Sequence, residues 1–430
     1  MNFEWTILDT WIVATAAMCG MACALLGNFL VLRKISLMGD AISHALLPGI
    51  VVAFLLTGSR ASWPMFVGAA CAGVLTAWLA EWLRGRGKVD EGASMGIVFT
   101  SLFALGIILL RRYADAVDLD PDCVLNGMLE TSVFQDFTQP VPRVFIVLSS
   151  MFVINLLTVV LLYKELKISS FDPQLATTLG INARVMHYLL MSLTALTTVA
   201  AFEAVGPILV IAMLIVPAAT AYLLTDRLPV MIGLSLIVAV LAAGTGHLGA
   251  TVLPRLIGLN DSTTTVGMMA SATGVMFVIV MLASPKHGII ARAYRRRVMS
   301  HRIVSEDVLA IVYRATEDNR PATPQLLMQH INRRGAAIAR AVQQLLRAGL
   351  ITTDQKIITL TERGRIEAQQ LIRSHRLWEQ YLSEHTNVAA DHVHSTAERL
   401  EHVTDPELRR RLAAQTSQQT DPHGRSIPQE

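Results

Sequence analysis

The chain has 430 residues, of which 53% are hydrophobic and only 16% charged, with a formal net charge of +3. That composition excludes a chain soluble along its whole length, and so small a net charge points to no particular class of partner. The charge is unevenly spread: residues 1–285 hold the long apolar runs, whereas residues 286–430 are rich in Arg, Glu, Gln and His. The pattern predicts a membrane domain over 1–285, a basic linker over 286–302 and a soluble portion beyond it.

Apolar runs over 8–31, 40–57, 64–83, 94–110, 143–163, 187–201, 206–224, 228–248 and 263–284 come near the ~20 residues a helix needs to cross a bilayer. Nine spans is the expected number, with eight as the alternative. The first run is too long for a signal-peptide core and lacks a basic start, so it reads as the first span. Of Cys19, Cys23, Cys71 and Cys123, three lie in apolar segments and none forms a Cys-x-x-Cys pair, so they read as small buried hydrophobes. Lys286, Arg292, Arg295, Arg296 and Arg297 follow the last run and mark the cytoplasmic side. Nine spans then put Arg33/Lys34, Arg84/Arg86/Lys88, Lys164/Lys167/Arg184 and Arg227 inside. Arg111 and Arg112 are the exception, and 113–141 becomes an acidic external loop.

In "GDAISHALLPGI", Asp40 and His44 share one helical face at i,i+4. Asp40 lies about 9 Å along a helix from Arg33/Lys34, which places the pair at membrane depth. Ionisable groups there are costly and mark function. A carboxylate with a neutral imidazole is half a site for a divalent transition ion, and two ligands suit passage better than storage. Pro48 and Gly49 follow, as in helices that line a protein cavity. The plain alternative is a structural hydrogen-bonded pair. Glu203 and His247, near outer span ends, and His187, beside the cytoplasm, read as interfacially solvated. The polar loop 164–186 contains Asp172-Pro173, a helix start, and a turn at Gly180. Its short helix is either a surface helix that docks into another protein's groove or a simple connector.

Beyond residue 300 the pattern predicts helices at 304–316, 323–333 and 335–348. Two short strands follow in "GLITTDQKIITLTERG", where Ile351, Ile357, Ile358 and Leu360 flank a polar turn. This order is a winged helix-turn-helix over 303–362. Helices at 363–385 and 389–413 make up a helical region, 363–430. His375 and Glu379 share a face at i,i+4. His394, Glu398 and Glu401 share another, and His402 beside them needs an adjacent helix to complete a shell. Carboxylates and imidazoles without thiolates favour Mn²⁺, Fe²⁺ or Zn²⁺ over copper. A solvated Glu/His-rich helix face is the plain alternative.

The motifs "RKISLMGDAISHALLPGI", "FDPQLATTLGIN" and "FEAVGPILVIAMLIVPAATA", in this order over 1–285, resemble the permease subunits of manganese/zinc/iron ABC importers. The resemblance implies an all-α polytopic fold in which two permeases pair as a homo- or heterodimer. It also implies cytoplasmic ATPase subunits that drive them and an extracytoplasmic metal-binding receptor that delivers the ion. Asp40 and His44 match translocation-pathway ligands, and Phe171, Asp172, Pro173, Leu179 and Gly180 match the helix that couples to the ATPase. The chain carries no G-x-x-x-x-G-K-[ST], so it is expected to bind no nucleotide and not to be an enzyme itself.

The motifs "LTERGRIEAQQLIRSHRLWEQYL", "VHSTAERLEHV", "DPELRRRL" and "DPHGRSIP" resemble the diphtheria-toxin-repressor/manganese-regulator family of metal-dependent transcription factors over 303–428. By that resemblance His375, Glu379 and His394 form one metal site. Asp307, Glu398, Glu401 and His402 form the other, with His375 shared in manganese-type members. Glu398 stands where iron-type members place Cys, which favours manganese. Ala310 stands where the manganese type has a first-helix ligand, and the SH3-like third domain has no counterpart. Arg333, Arg334, Arg340 and Gln343 are the candidate DNA contacts. Ala336, Ala337 and Ala339 occupy much of the same face, so a cytoplasmic sensor that gates its own transporter is the preferred reading. Both parent families are symmetric dimers, so one two-fold axis could serve both halves. The alternative is a membrane-tethered, metal-dependent DNA-binding regulator.

Overall fold

The computed structural model describes residues 5–35, 38–58, 62–87, 89–113, 129–135, 140–256, 258, 263–331, 335–385, 390–416 and 420–428. They fall into two units, Met1–Ala291 and Arg292–Glu430.

Among the described residues of the first unit, nine helical segments are long and apolar enough to cross a membrane, one for each predicted run. α1 (Ile7–Leu32) starts in a capping box, with Thr6 and Asp9 satisfying each other's backbone N–H groups. It packs against α7 (Arg143–Leu161), α10 (Ala183–Leu224) and α11 (Leu228–Leu256). Ala16, Cys19, Cys23, Leu26 and Phe29 are fully buried, so both of its cysteines are core hydrophobes as expected. Polar side chains fasten the bundle. Asn28 donates to Ser235 Oγ on α11 at 2.8 Å, and Asn155 on α7 donates to Thr197 Oγ1 on α10 at 2.8 Å. Each such bond contributes about 0.6 kcal/mol in a bilayer.

Gly27 is where α1 meets α10 most closely: a Cβ there would lie 1.9 Å from the Leu214 carbonyl oxygen. Gly27→Ala is expected to destabilise the solubilised chain by about 3 kcal/mol. Gly233→Ala, where a Cβ meets nothing within 4 Å, should leave it unchanged or more stable. Thermal unfolding of the two variants in detergent checks this, and equal midpoints would contradict the close approach.

The apolar run predicted over 40–57 is two helices, α2 (Met38–Ala45) and α3 (Leu47–Thr57), divided at Leu46. Pro48 is the cause: it has no N–H to donate and sits in the first turn of α3. α3 crosses α4 (Ser62–Gly87) through Gly49 and Gly68, each with its missing Cβ under 2.5 Å from the other's carbonyl oxygen. α5 (Glu91–Tyr113) packs on α2 and α3. α6 (Leu129–Gln135) lies in the predicted external loop, where Glu130 accepts the Thr265 N–H at 2.6 Å. α8 (Tyr163–Phe171) and α9 (Pro173–Thr178) form the polar loop. α10 joins two predicted spans across Gly206, whose φ of 73° and ψ of 173° only glycine tolerates well. α12 (Thr265–Ala283) ends the unit's spans. His247, expected at a solvated interface, is instead buried on α11. It lies 3.1 Å from Asp9 and 3.0 Å from Thr265 Oγ1, because α1 and α12 close over it.

In the second unit, the later part of α13 (Ile289–Glu317) is followed by α14 (Pro324–His330) and α15 (Gly335–Arg347). The antiparallel wing, β1 (Ile351–Asp354) and β2 (Ile357–Leu360), comes next, with Ile351 opposite Leu360. Gln355 and Lys356 both have positive φ, which gives the tight two-residue turn. Val308, Val312, Leu327, Ile338, Leu345, Ile351 and Ile358 fill one core. α13 extends through most of the basic segment that was predicted as linker. α16 (Glu362–His385) follows as expected. The helix predicted over 389–413 is instead two, α17 (Ala390–Glu401) and α18 (Pro406–Gln415). Asp405 caps α18 by accepting the Leu408 N–H at 2.7 Å, and Pro406 opens it, so the chain must leave helical geometry at 402–405.

Candidate metal sites

α2 places Asp40 and His44 one turn apart, with Oδ1 and Nε2 separated by 3.5 Å. Their side chains are 42% and 44% exposed within a single chain. The imidazole stands beside Phe99 and Phe103, with ring centroids 5.7 and 6.1 Å away. The pair thus presents one carboxylate oxygen and one imidazole nitrogen on an open, aromatic-walled face. That donor set accepts a divalent transition ion but leaves most of its coordination to water or to another subunit.

In the polar loop, Asp172 caps α9 by accepting the N–H groups of Gln174 and Leu175, both at 3.0 Å. Pro173 opens the helix, and Gly180, at φ 81°, ends it. Leu166 and Ala176 anchor the loop inward, while Phe171 and Leu179 remain 60% and 59% exposed. A rigid, capped turn with an apolar face is suited to docking.

The second unit brings two triads together. In the first, Glu379 Oε1 lies 3.1 Å from His375 Nε2 and 2.7 Å from His394 Nδ1. Glu379 is only 2% exposed. Burial opposes its charge, but the two imidazoles prevail and hold its pKa down at about 2. In the second, Asp307, Glu401 and His402 each offer an atom within 4.8 Å of the others. The break after α17 lets His402 turn toward α13, where Nε2 meets Asp307 at 3.2 Å and Nδ1 meets Glu306 at 2.7 Å. This is the adjacent helix that the spacing called for. Glu306 was missed, because its role is to orient an imidazole across 96 residues and no local spacing encodes that.

Both triads fit a divalent ion by donor type and spacing. His375 Nδ1 and Glu401 Oε2 join them: they are buried and 2.6 Å apart, without the alignment of a hydrogen bond. Glu401, a member of the second triad, therefore also meets the first through His375. Glu398 lines the same cavity, of ≈ 1340 Å³, but is exposed and joins neither triad. Ala310 also lines it, leaving space where a longer side chain would reach in. Of the candidate DNA contacts, Arg340 and Gln343 are exposed on α15, and Arg333 and Arg334 lie outside the described residues.

Residues 6–258 match the family model described as ABC 3 transport family. The chain belongs to the ABC 3 transport family. Residues 361–429 match a second model, the iron dependent repressor metal binding and dimerisation domain. Manganese transport system membrane protein MntD of Bacillus subtilis (strain 168) is 44% identical over 299 residues, covering 69% of this chain and 97% of that protein. Zinc transport system membrane protein TroD of Treponema pallidum (strain Nichols) is 38% identical over 359 residues, covering 82% and 96%. The solved structure of PsaBC from Streptococcus pneumoniae in complex with Fab is similar at a TM-score of 0.54 and 32% identity, covering 66% of this chain and 94% of that chain. As an ABC 3 family permease with nine spanning-length helical segments among its described residues, the chain is a multi-pass membrane protein.

Charge at the second triad would make any metal affinity there pH-dependent. Burial disfavours the His402 imidazolium, but Asp307, Glu306 and Glu401 outweigh it and raise the pKa from 6.5 to about 10. Without metal, this group contributes stability that is complete below pH 6.5 and is lost as pH rises through about 10. A metal bound here would have to displace that proton, so its affinity should rise about tenfold per pH unit across neutral pH. Calorimetry in buffers of differing ionisation enthalpy should show about one proton released per ion; a pH-independent affinity would contradict the assignment.

Proposed function

We propose that this chain is the permease subunit of an ABC importer of divalent transition metal, with manganese ahead of zinc or iron, and that its C-terminal unit senses the same ion in the cytoplasm and regulates passage. One observation carries the reading: a single chain holds an acid–imidazole pair in its membrane unit and two largely buried His/carboxylate triads in its other unit. Asp40 and His44 would form the ion's path. His375, Glu379 and His394 would hold one sensed ion, and Asp307, Glu401 and His402 the other, with Glu398 at the rim. Relatives named as manganese and zinc transport proteins support the class of cargo.

The domain division is then 1–285 permease, 286–302 basic connector, 303–362 winged helix and 363–430 metal-binding and dimerisation region. A separate cytoplasmic ATPase supplies the energy and docks on the Phe171–Gly180 turn. An extracytoplasmic receptor delivers the ion, and a second permease completes the open Asp40–His44 face. Binding at the triads would bias the transport cycle to the degree that it differs in affinity between two states of the transporter. Operator DNA is not required: the face of α15 that carries Arg340 and Gln343 also carries exposed Ala336 and Ala339.

The test is ⁵⁴Mn²⁺ uptake by the complete transporter in vesicles, with and without residues 300–430, as internal Mn²⁺ is varied. Uptake should persist without the tail but lose its dependence on internal metal. Equal dependence in both would remove the regulatory role, and no uptake of Mn²⁺, Zn²⁺ or Fe²⁺ by the intact complex would remove the transport role.

A further inference from the structure

The segment after α18 turns back against α16. Thr420 and Ser426 pair as an antiparallel bridge, and the turn between them is built on buried Asp421. Asp421 Oδ1 accepts the N–H groups of His423 at 3.0 Å and Arg425 at 2.7 Å, and Gly424 closes the turn at φ 79°. Arg376, the buried neighbour of His375, holds the turn in place. It donates to the Ser426 carbonyl at 2.7 Å, lies 3.6 Å from Asp421 Oδ2, and forks onto Glu317 at 2.6 and 3.1 Å. A C-terminal turn is thus clamped within one residue of the first triad.

The clamp carries His423 to the edge of that triad. Its Nε2 lies 3.9 Å from Glu379 Oε1, the same oxygen that His375 and His394 approach at 3.1 and 2.7 Å. Two donors that each sit about 2.1 Å from one ion are at most about 4.2 Å apart. All three separations from Glu379 fall within that limit, but His423 is not among the donors that lie within 4.8 Å of one another, so its ring must turn inward to join His375 and His394. The His423 side chain is 47% exposed, so about half of its surface is free of packing and leaves the ring room to turn toward an ion.

We propose that His423 is a fourth protein ligand of the His375–Glu379–His394 site, supplied by the C-terminal turn. The proposal rests on the reading of that triad as a metal site. It makes the two sites chemically unequal. The first offers three imidazoles and one carboxylate, a nitrogen-rich set that suits Zn²⁺ or Fe²⁺. The second, with Asp307, Glu401 and His402, is oxygen-rich and suits Mn²⁺. Occupancy of the first site would also fix the turn to α16 through a metal bond.

The experiment uses the full chain in nanodiscs, with Asp40→Ala and His402→Ala present so that the first site dominates, and Zn²⁺ and Mn²⁺ as probes. In that background His423→Ala should weaken Zn²⁺ binding by at least about tenfold. It should also remove one ¹⁵N-histidine coupling from the pulsed EPR spectrum of bound Mn²⁺. His375→Ala is the companion variant. If it abolishes binding while His423→Ala changes neither affinity nor nitrogen count, His423 is not a ligand and the metal reading of the triad stands. If neither variant affects binding, the triad is not a metal site and both ideas fall.

Discussion

Replacing Asp40 with alanine should reduce metal uptake by the complete transporter by more than about 100-fold, since ligand loss costs at least what loss of an outer-shell partner does. The physical reason is economy of donors. The membrane unit brings one carboxylate and one imidazole together on one open face, 3.5 Å apart, so removing the carboxylate leaves the imidazole alone there. An ion leaving water at this pair would then find no carboxylate in it to offset its lost hydration charge for charge. Asp40 is partly exposed and makes no cross-helix bond among the described residues, so the variant should fold and reach the membrane normally. ⁵⁴Mn²⁺ uptake in vesicles, normalised to permease content, measures the effect. Wild-type uptake by Asp40→Ala would show that the ion does not pass this pair.

Glu401→Ala should strike both triads at once. One carboxylate oxygen stands 2.6 Å from His375 Nδ1, and the other 3.7 Å from His402 Nε2. The second triad therefore loses a ligand, and Mn²⁺ affinity there should fall by more than about 100-fold. The first keeps its ligands but loses the group that orients His375, a loss of about 10- to 100-fold. Burial and the carboxylates Glu379 and Glu401 act oppositely on His375, and the carboxylates prevail, raising its pKa; without Glu401 that rise diminishes. Titration of the full chain with Mn²⁺ and Zn²⁺ separates the two sites. Glu401→Gln, which preserves volume, guards against misfolding. An unchanged first site in both variants would show that the triads are independent.

Much of this architecture is legible in the sequence because lipid permits few solutions. Each span announces itself as an apolar run, and Asp40 with His44 stands out because charged residues are rare at that depth. The winged helix is legible for a different reason: its caps and turn are local, as with Thr323 before Pro324 and the polar turn between the strands. What escaped is long-range. His247 reads as interfacial because nothing nearby in sequence says that Asp9 will bond to it. Glu306 and His423 reach their sites only through tertiary folding, one across α13 and the other through a turn held by Arg376. The helix break at 402–405 was signalled by Asp405-Pro406, but the strong 3.6-residue periodicity on both sides masked it.

The crossing of α3 with α4 constrains how the helices around Asp40 and His44 can move. With Gly49 and Gly68 each filling the other's notch, sliding either helix along the other would drive backbone into backbone. That hairpin must travel as one rigid arm. The joint left to it is Leu46, two positions beyond His44, where Pro48 interrupts the helical hydrogen-bond ladder although the backbone keeps helical dihedrals, so bending there would swing the imidazole while the arm kept its shape.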